Sequence, residues 1–271
     1  TDTDLTSLSS AGREQKLTSI LEHDVNQKFE MGDAPLFRIH LIKIAEMEYV
    51  LSIVMHHIIY DMESKYIFTR ELSGIYTHLL KNESVIKLEA AAQYTDFSIR
   101  QKEIILKNGY TEKIDFWKNS LNGYSGYLNL PLDFQRPQWM SGLGEQLFFE
   151  LNNELVSQLR ELSKKNSVNL FTTMLAIYFL LLYRLSGQND IIAGVPLTNR
   201  RNDDDKEMIG CFVNIMPLPV TIIGEQSFNE TVKLVRNAML GAHRNQEVPF
   251  SLIVKEIQPR RDGGYNPLFQ A

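Results

Sequence analysis

Residues 49–64 read YVLSIVMHHIIYDMES, and this stretch constrains the fold more than any other. YVLSIVM is nearly continuous in apolar character and carries the β-branched Val50, Ile53 and Val54, the pattern of a covered strand. From Ser64 onward the spacing changes, and Tyr66, Phe68, Leu72, Ile75, Tyr76 and Leu79 recur at helical intervals, with Ser64 a first-turn or capping residue. A covered strand feeding an amphipathic helix calls for a layered α/β or α+β architecture, because each element must bury its apolar side against another. It also puts His56, His57 and Asp61 on the turn between the two.

The rest of the chain keeps mixing helices with strands. GREQKLTSILEHDVNQKF has Leu17, Ile20, Leu21 and Val25 on one helical face, and LFRIHLIKI alternates as a strand does. YTDFSIRQKEIILKN and TEKIDFWKNSLNG continue with helical patterns. The character then changes at LPLDFQRPQWMSGLGEQ, where Pro131, Pro137, Gly142 and Gly144 punctuate the chain as a connector does. This predicts two lobes, residues 1–136 and 137–271. The second should hold a strand QLFFEL, a helix ELVSQLRELSKKN, strands DIIAGVPL and FVNIMPLPVTI, and a helix SFNETVKLVRNAMLGAHRN. No short repeat or low-complexity tract interrupts the pattern.

Composition removes several function classes. At 271 residues, 44% hydrophobic and 23% charged, the chain can bury a sizeable core as one large domain or two ordinary ones. A net charge of −5 without a basic stripe argues against a nucleic-acid surface. The single cysteine, Cys211, excludes an intrachain disulfide framework and a cysteine-rich zinc site, and a reducing cytoplasm fits best. The N-terminal TDTDLTSLSSAGREQ has neither the basic start nor the apolar core of a secretion signal. LFTTMLAIYFLLLY, residues 170–183, is shorter than the roughly 20 residues that span a bilayer and reads as a core helix.

The chemistry therefore concentrates on HHIIYD. A histidine exchanges a proton near neutral pH, and a nearby carboxylate can fix its tautomer or brace its turn. As ordinary residues, His56 and His57 would be satisfied turn histidines and Asp61 a helix cap. A metal site is the weaker reading, because neighbouring side chains on a strand diverge and no third ligand is evident.

HHIIYD resembles the HHxxxDG signature shared by chloramphenicol acetyltransferase and the condensation domains of nonribosomal peptide synthetases. Further stretches narrow the resemblance to condensation domains. FEMGDAPLFRIHLIKIAEMEYVLSIVMHHI is similar to the family's run into that signature, YTDFSIRQ to its YxDY-type motif, and FWKNSLNGYSGYLNLPLDFQRP to its path into the inter-lobe linker. IGCFVNIMPL resembles IGxFVNT, NQEVPFSLIVKEI the QxxPFE helix, and RRDGGYNPLFQ the RDxSxNPLF ending. These matches follow the family's order and cover almost the whole chain.

The resemblance implies a V-shaped pair of chloramphenicol acetyltransferase-like lobes with His57 in a tunnel between them. Carrier proteins would dock at opposite mouths, each presenting a thioester on a phosphopantetheine arm, and the acceptor amine would attack the donor carbonyl to give an amide. Upstream and downstream peptidyl carrier proteins and a neighbouring adenylation domain are the implied partners, without a bound cofactor, nucleic acid or membrane. His57, His56 and Asp61 take the catalytic positions, and Met62 and Asn214 the substrate-facing ones. Other readings are an ester-forming or epimerisation-type relative, and a docking module that keeps the fold without turnover.

The match also sets expectations at its edges and departures. The family's opening motif and its RHExLR motif belong upstream of Thr1, and further second-lobe elements belong beyond NPLFQ. The chain is thus expected to be an internal fragment with both lobes truncated, apolar surface uncovered, and Asp61 lacking the family's arginine. Met62 stands where the signature has glycine, either packed into the next helix or narrowing the donor passage. Ile215 and Met216 replace the commoner Thr and Leu after Asn214, which lines the tunnel or bonds a sheet edge. RNDDDKE, residues 201–207, reads as a solvated loop, and Arg200, Arg201, Arg260 and Arg261 mostly as solvent-facing.

Overall fold

A computed structural model describes residues 2–81, 92–260 and 262–271. Arg261 lies outside the described residues. In chain order the elements are β1 (Asp2–Asp4), α1 (Ser10–Asn26), β2 (Phe37–Ala45), β3 (Glu48–Met55), a 3₁₀ turn (His57–Ile59), α2 (Met62–Leu80), α3 (Tyr94–Leu106), α4 (Thr111–Leu121), α5 (Asn153–Lys165), α6 (Leu170–Ser186), β4 (Asp190–Thr198), α7 (Asp203–Lys206), β5 (Val213–Thr221), α8 (Phe228–Asn245) and α9 (Phe250–Ile257). The expected α/β class is observed.

Two compact units form. The first holds Thr1–Arg100 and Arg200–Phe212, the second Gln101–Asn199 and Val213–Ala271. The division therefore does not fall at residues 136 and 137. The connector's composition was outweighed by what precedes it: Trp117 of α4 is 1% exposed, sits in the same buried cluster as Val232 and Val235, and donates through Nε1 to Asn245 O at 3.2 Å. Lys113 and Lys118 add ion pairs to Glu247 and Glu256 at 2.5 and 2.9 Å. A buried tryptophan with a satisfied N–H decides allegiance more strongly than prolines in a loop.

Unit 1 is organised on a sheet of order β1-β2-β3, with β1 parallel to β2 and β2 antiparallel to β3. Phe37 pairs with Met55, so the register delivers the end of β3 and its histidines beside the start of β2. Helix α1 is capped by Ser9, whose side chain accepts from Gly12 N. Its apolar stripe is only partly covered, and Val25 is exposed.

Unit 2 carries the larger core. β4 and β5 pair antiparallel, and their connection is no hairpin, because Arg200–Phe212 between them belongs to unit 1. Helix α6 starts on Asn169, whose side chain accepts from Thr172 N, and ends on Gly187 in the left-handed conformation that favours glycine. It buries Leu175, Ala176, Phe179 and Leu182 on one face and leaves Leu181 and Leu185 exposed on the other. No single helix among the described residues is long and apolar enough to cross a membrane. On β4, a Cβ at Gly194 would run into the Phe269 ring, and Gly194 N donates to Ala271 O, so the NPLFQ segment lies directly against the strand. The expected strand QLFFEL is absent. A strand forms only by pairing, no described strand lies alongside it, and Leu147, Phe148 and Phe149 remain exposed.

Candidate active site

The chain leaves β3 at Met55, makes one 3₁₀ turn and enters α2 at Met62, all inside unit 1. Each polar residue of HHIIYD has a distinct task there. His56 caps the 3₁₀ turn, its Nδ1 accepting from Ile58 N at 3.1 Å. Its ring meets Phe29 edge-on at 6.0 Å, and the Arg38 guanidinium covers the Phe29 ring at 3.8 Å. His57 is exposed, and its Nδ1 lies 3.7 Å from Cys211 Sγ. An open depression walled by Val25, Phe29, Val54 and Met55 runs past both histidines.

Asp61 points the other way. It is 2% exposed and is the N-cap of α2, Oδ1 accepting from Ser64 N at 2.8 Å. The same oxygen accepts from Arg200 Nη2 at 2.9 Å, and Oδ2 accepts from Phe212 N at 3.0 Å. Ser64 Oγ lies 2.7 Å from Asp61 Oδ1 and 2.9 Å from Gly210 O, which share its one proton, and it accepts from Gly210 N. Among the described residues no hydrogen bond joins Asp61 to His57. The carboxylate holds the turn, and the imidazole is left at its surface.

Arg200 corrects one expectation: its side chain is 4% exposed rather than solvent-facing, and it pairs with Asp61 from downstream in the chain. Nη1 donates to Asp205 O and Met208 O at 2.5 and 2.6 Å, and the guanidinium lies 4.0 Å over the Phe212 ring. The neighbouring RNDDDKE run is not simply solvated either. Asp205 is buried, pairs with Arg100 and accepts from Asn202 N at 3.1 Å, closing α7. Locally the sequence carried no sign of this, because Arg200 and Asp61 are 139 positions apart. The available signal was that the arginine precedes IGCFVN by one short helix.

That motif and YTDFSIRQ explain each other. Tyr94 OH donates to Cys211 O at 2.7 Å, and its ring packs on Phe212 with centroids 5.0 Å apart. A Cβ on Gly210 would collide with Cδ2 of Tyr94, so only glycine lets the ring close on this loop. Gly210→Ala is accordingly expected to destabilise unit 1 by about 1–3 kcal/mol through overpacking. Urea unfolding of the variant checks this, and an unchanged midpoint would contradict it.

Burial alone would push the Asp61 carboxyl up, but the hydrogen bonds from Ser64 and Phe212, with that from Arg200, outweigh it and hold the group below its ordinary range. A depressed folded-state value means stability present above about pH 4 and lost as pH falls through the folded value. The stability gap between the wild-type protein and Asp61→Asn should therefore narrow below about pH 4. Urea titrations from pH 7 to pH 3 test it, and a constant gap would count against the brace.

The substrate-facing expectations fare differently. Met62 is 62% exposed at the first position of α2, so it is not packed into the helix's core. Asn214, in unit 2, spends its amide on the backbone: Nδ2 donates to Gln246 O and Val248 O at 2.8 and 2.7 Å, and Oδ1 accepts from Phe250 N at 3.0 Å. It braces the turn into α9, and both N–H groups of its amide are spent on backbone carbonyls. Among the described residues no group of three or more His, Cys, Asp or Glu side chains is placed to hold a metal ion.

The family model described as Condensation domain matches residues 2–271. The chain belongs to the condensation-domain family. Peptide-bond formation in nonribosomal synthetases is that family's function. The condensation-domain chain is 33% identical over 260 residues to gramicidin S synthase 2 of Aneurinibacillus migulanus, covering 96% of itself and 6% of that protein. It is 36% identical over 241 residues to bacitracin synthase 3 of Bacillus licheniformis, covering 89% of itself and 4% of the relative. Among solved structures it resembles holo-AB3403, a four-domain nonribosomal peptide synthetase bound to AMP and glycine, with TM-score 0.83 and 26% identity over 99% of this chain and 20% of that one. The X-domain from teicoplanin biosynthesis shares the fold, with TM-score 0.87 at 24% identity, covering 100% of this chain and 60% of that one. The chain thus spans a small part of its curated relatives.

Proposed function

We propose that this chain forms an amide between a donor acyl or peptidyl thioester and the amine of an acceptor aminoacyl thioester. Both substrates ride on phosphopantetheine arms of upstream and downstream peptidyl carrier proteins, beside an adenylation domain of the same cytoplasmic synthetase. The acceptor nitrogen attacks the donor carbonyl, the C–N bond forms, the C–S bond breaks, and the donor carrier leaves as a thiol. In this reading His57 orients the amine and takes its proton through Nε2, His56 and Asp61 hold the turn that presents it, and Met62 borders the donor passage. In the same reading the fold is that of the family's V-shaped pair of acetyltransferase-like lobes. Much of the rate then comes from positioning two tethered reactants, with effective molarities of about 10⁵ M or more for well-oriented groups.

The observation that carries this reading is the division of labour in HHIIYD: a buried, charge-paired Asp61 beneath an exposed His57. A turn braced so heavily around a solvent-facing imidazole is more than a surface loop needs. The test is to supply the whole protein with a loaded donor carrier and a loaded acceptor carrier and to weigh the acceptor carrier by mass spectrometry. The acceptor should gain the donor acyl group. An acceptor mass unchanged in the presence of both loaded carriers would overturn the proposal and favour the docking-module reading.

A further inference from the structure

We propose that Cys211 is a positioning residue for His57, accepting a hydrogen bond from Nδ1–H and so leaving Nε2 unprotonated to meet the acceptor amine. The inference rests on the reading of His57 as the group that takes the amine's proton, and adds to it a residue from a different part of the chain.

Both partners stand on backbone that is held in place. On the cysteine side, Gly210 N donates to Ser64 Oγ at 3.0 Å and Gly210 O accepts from Arg200 Nη2 at 3.3 Å. Cys211 O accepts from Tyr94 OH, and Phe212 N donates to Asp61 Oδ2. The main chain is thus tied on both sides of Cys211 by the same buried group of residues that caps α2. On the histidine side, the 3₁₀ turn is closed by Ile58 N on His56 Nδ1 and by Tyr60 N on His57 O at 3.3 Å. Between these two backbones, Sγ and Nδ1 are 3.7 Å apart, within the longer reach of sulfur. Among the described residues this is the one hydrogen-bond contact of the exposed His57 ring.

The chemistry follows from the ring's two nitrogens. Which of them carries the proton in neutral imidazole is set by the hydrogen bond that the other makes. A base acting through Nε2 must keep its lone pair there, so its proton must rest on Nδ1 and needs an acceptor at that position. Asp61, the carboxylate on the same turn, is committed elsewhere, to Ser64, Arg200 and Phe212. Cys211 Sγ is the atom that stands at Nδ1, a weak acceptor but one placed by rigid backbone.

Proton-detected spectra of the ¹⁵N-histidine-labelled chain test the tautomer directly, with His57→Gln to assign the signal. His57 should carry its proton on Nδ1 in the wild-type protein and lose that preference in Cys211→Ala. In the full-length protein, Cys211→Ala and Cys211→Ser should lower kcat for amide formation by about 3- to 10-fold, the scale of one weak hydrogen bond, with acceptor KM and melting temperature unchanged. Serine carries its oxygen on a shorter bond than sulfur and should not span the gap, so it serves if the alanine variant fails to fold. A wild-type His57 protonated on Nε2, or a tautomer and kcat unmoved by both substitutions, would overturn the proposal. If His57→Ala itself left amide formation intact, the reading of His57 would fall instead, which separates the two.

Discussion

Replacing Arg200 with methionine is expected to destabilise unit 1 by about 3–5 kcal/mol, the cost of leaving a buried charge without its partner. Asp61 is nearly inaccessible and would face the loss with only neutral donors, Ser64 and the Phe212 amide, beside it. Gly210 O would also lose a donor, as would Asp205 O and Met208 O. Methionine keeps most of the side chain's length and its contact with the Phe212 ring, so the loss reports charge and hydrogen bonds more than a cavity. Combining Arg200→Met with Asp61→Asn should cost less than the sum of the two, because the second change removes the stranded carboxylate. Amide hydrogen exchange resolves the effect by unit. Protection should fall in β2 and β3 and persist in β4 and β5, and unchanged protection in β2 and β3 would contradict the account.

Much of this was legible along the chain where the physics is local. The apolar run before the histidines and the helical spacing after Ser64 correctly read as strand, turn and helix, since periodicity and capping act over a few residues. Core helix α6 and strands β4 and β5 were equally visible in their apolar runs. What remained hidden depended on partners far away in sequence. Arg200 reads as one more charge in a polar loop until the fold brings it against Asp61 and Gly210 O. Asn214 reads as a polar residue in a strand, and its bonds to three backbone groups of the turn into α9 depend on residues more than thirty positions away. The connector around Pro131 and Pro137 reads as a boundary, but Trp117 and Leu128 are buried in the core of unit 2 and carry the division back toward α3. QLFFEL has the composition of a strand, yet pairing, which composition cannot supply, decides whether one forms.

His57→Ala is expected to lower amide formation by roughly 10²- to 10⁴-fold, the range for loss of a general base, while leaving the fold intact. The ring is exposed and fills no core, so its removal opens no cavity, and the turn keeps the bonds made by His56 and Asp61. This contrast with Arg200 is the substance of the account: one residue of the site holds the turn and costs stability when lost, the other works at its surface and costs rate. Single-turnover amide formation by the full-length protein, with matched loaded carriers and a thermal melt of each sample, measures both at once. The His57→Ala protein should melt as the wild type does and form amide at least about 10²-fold more slowly. A well-folded His57→Ala protein with wild-type turnover would contradict it.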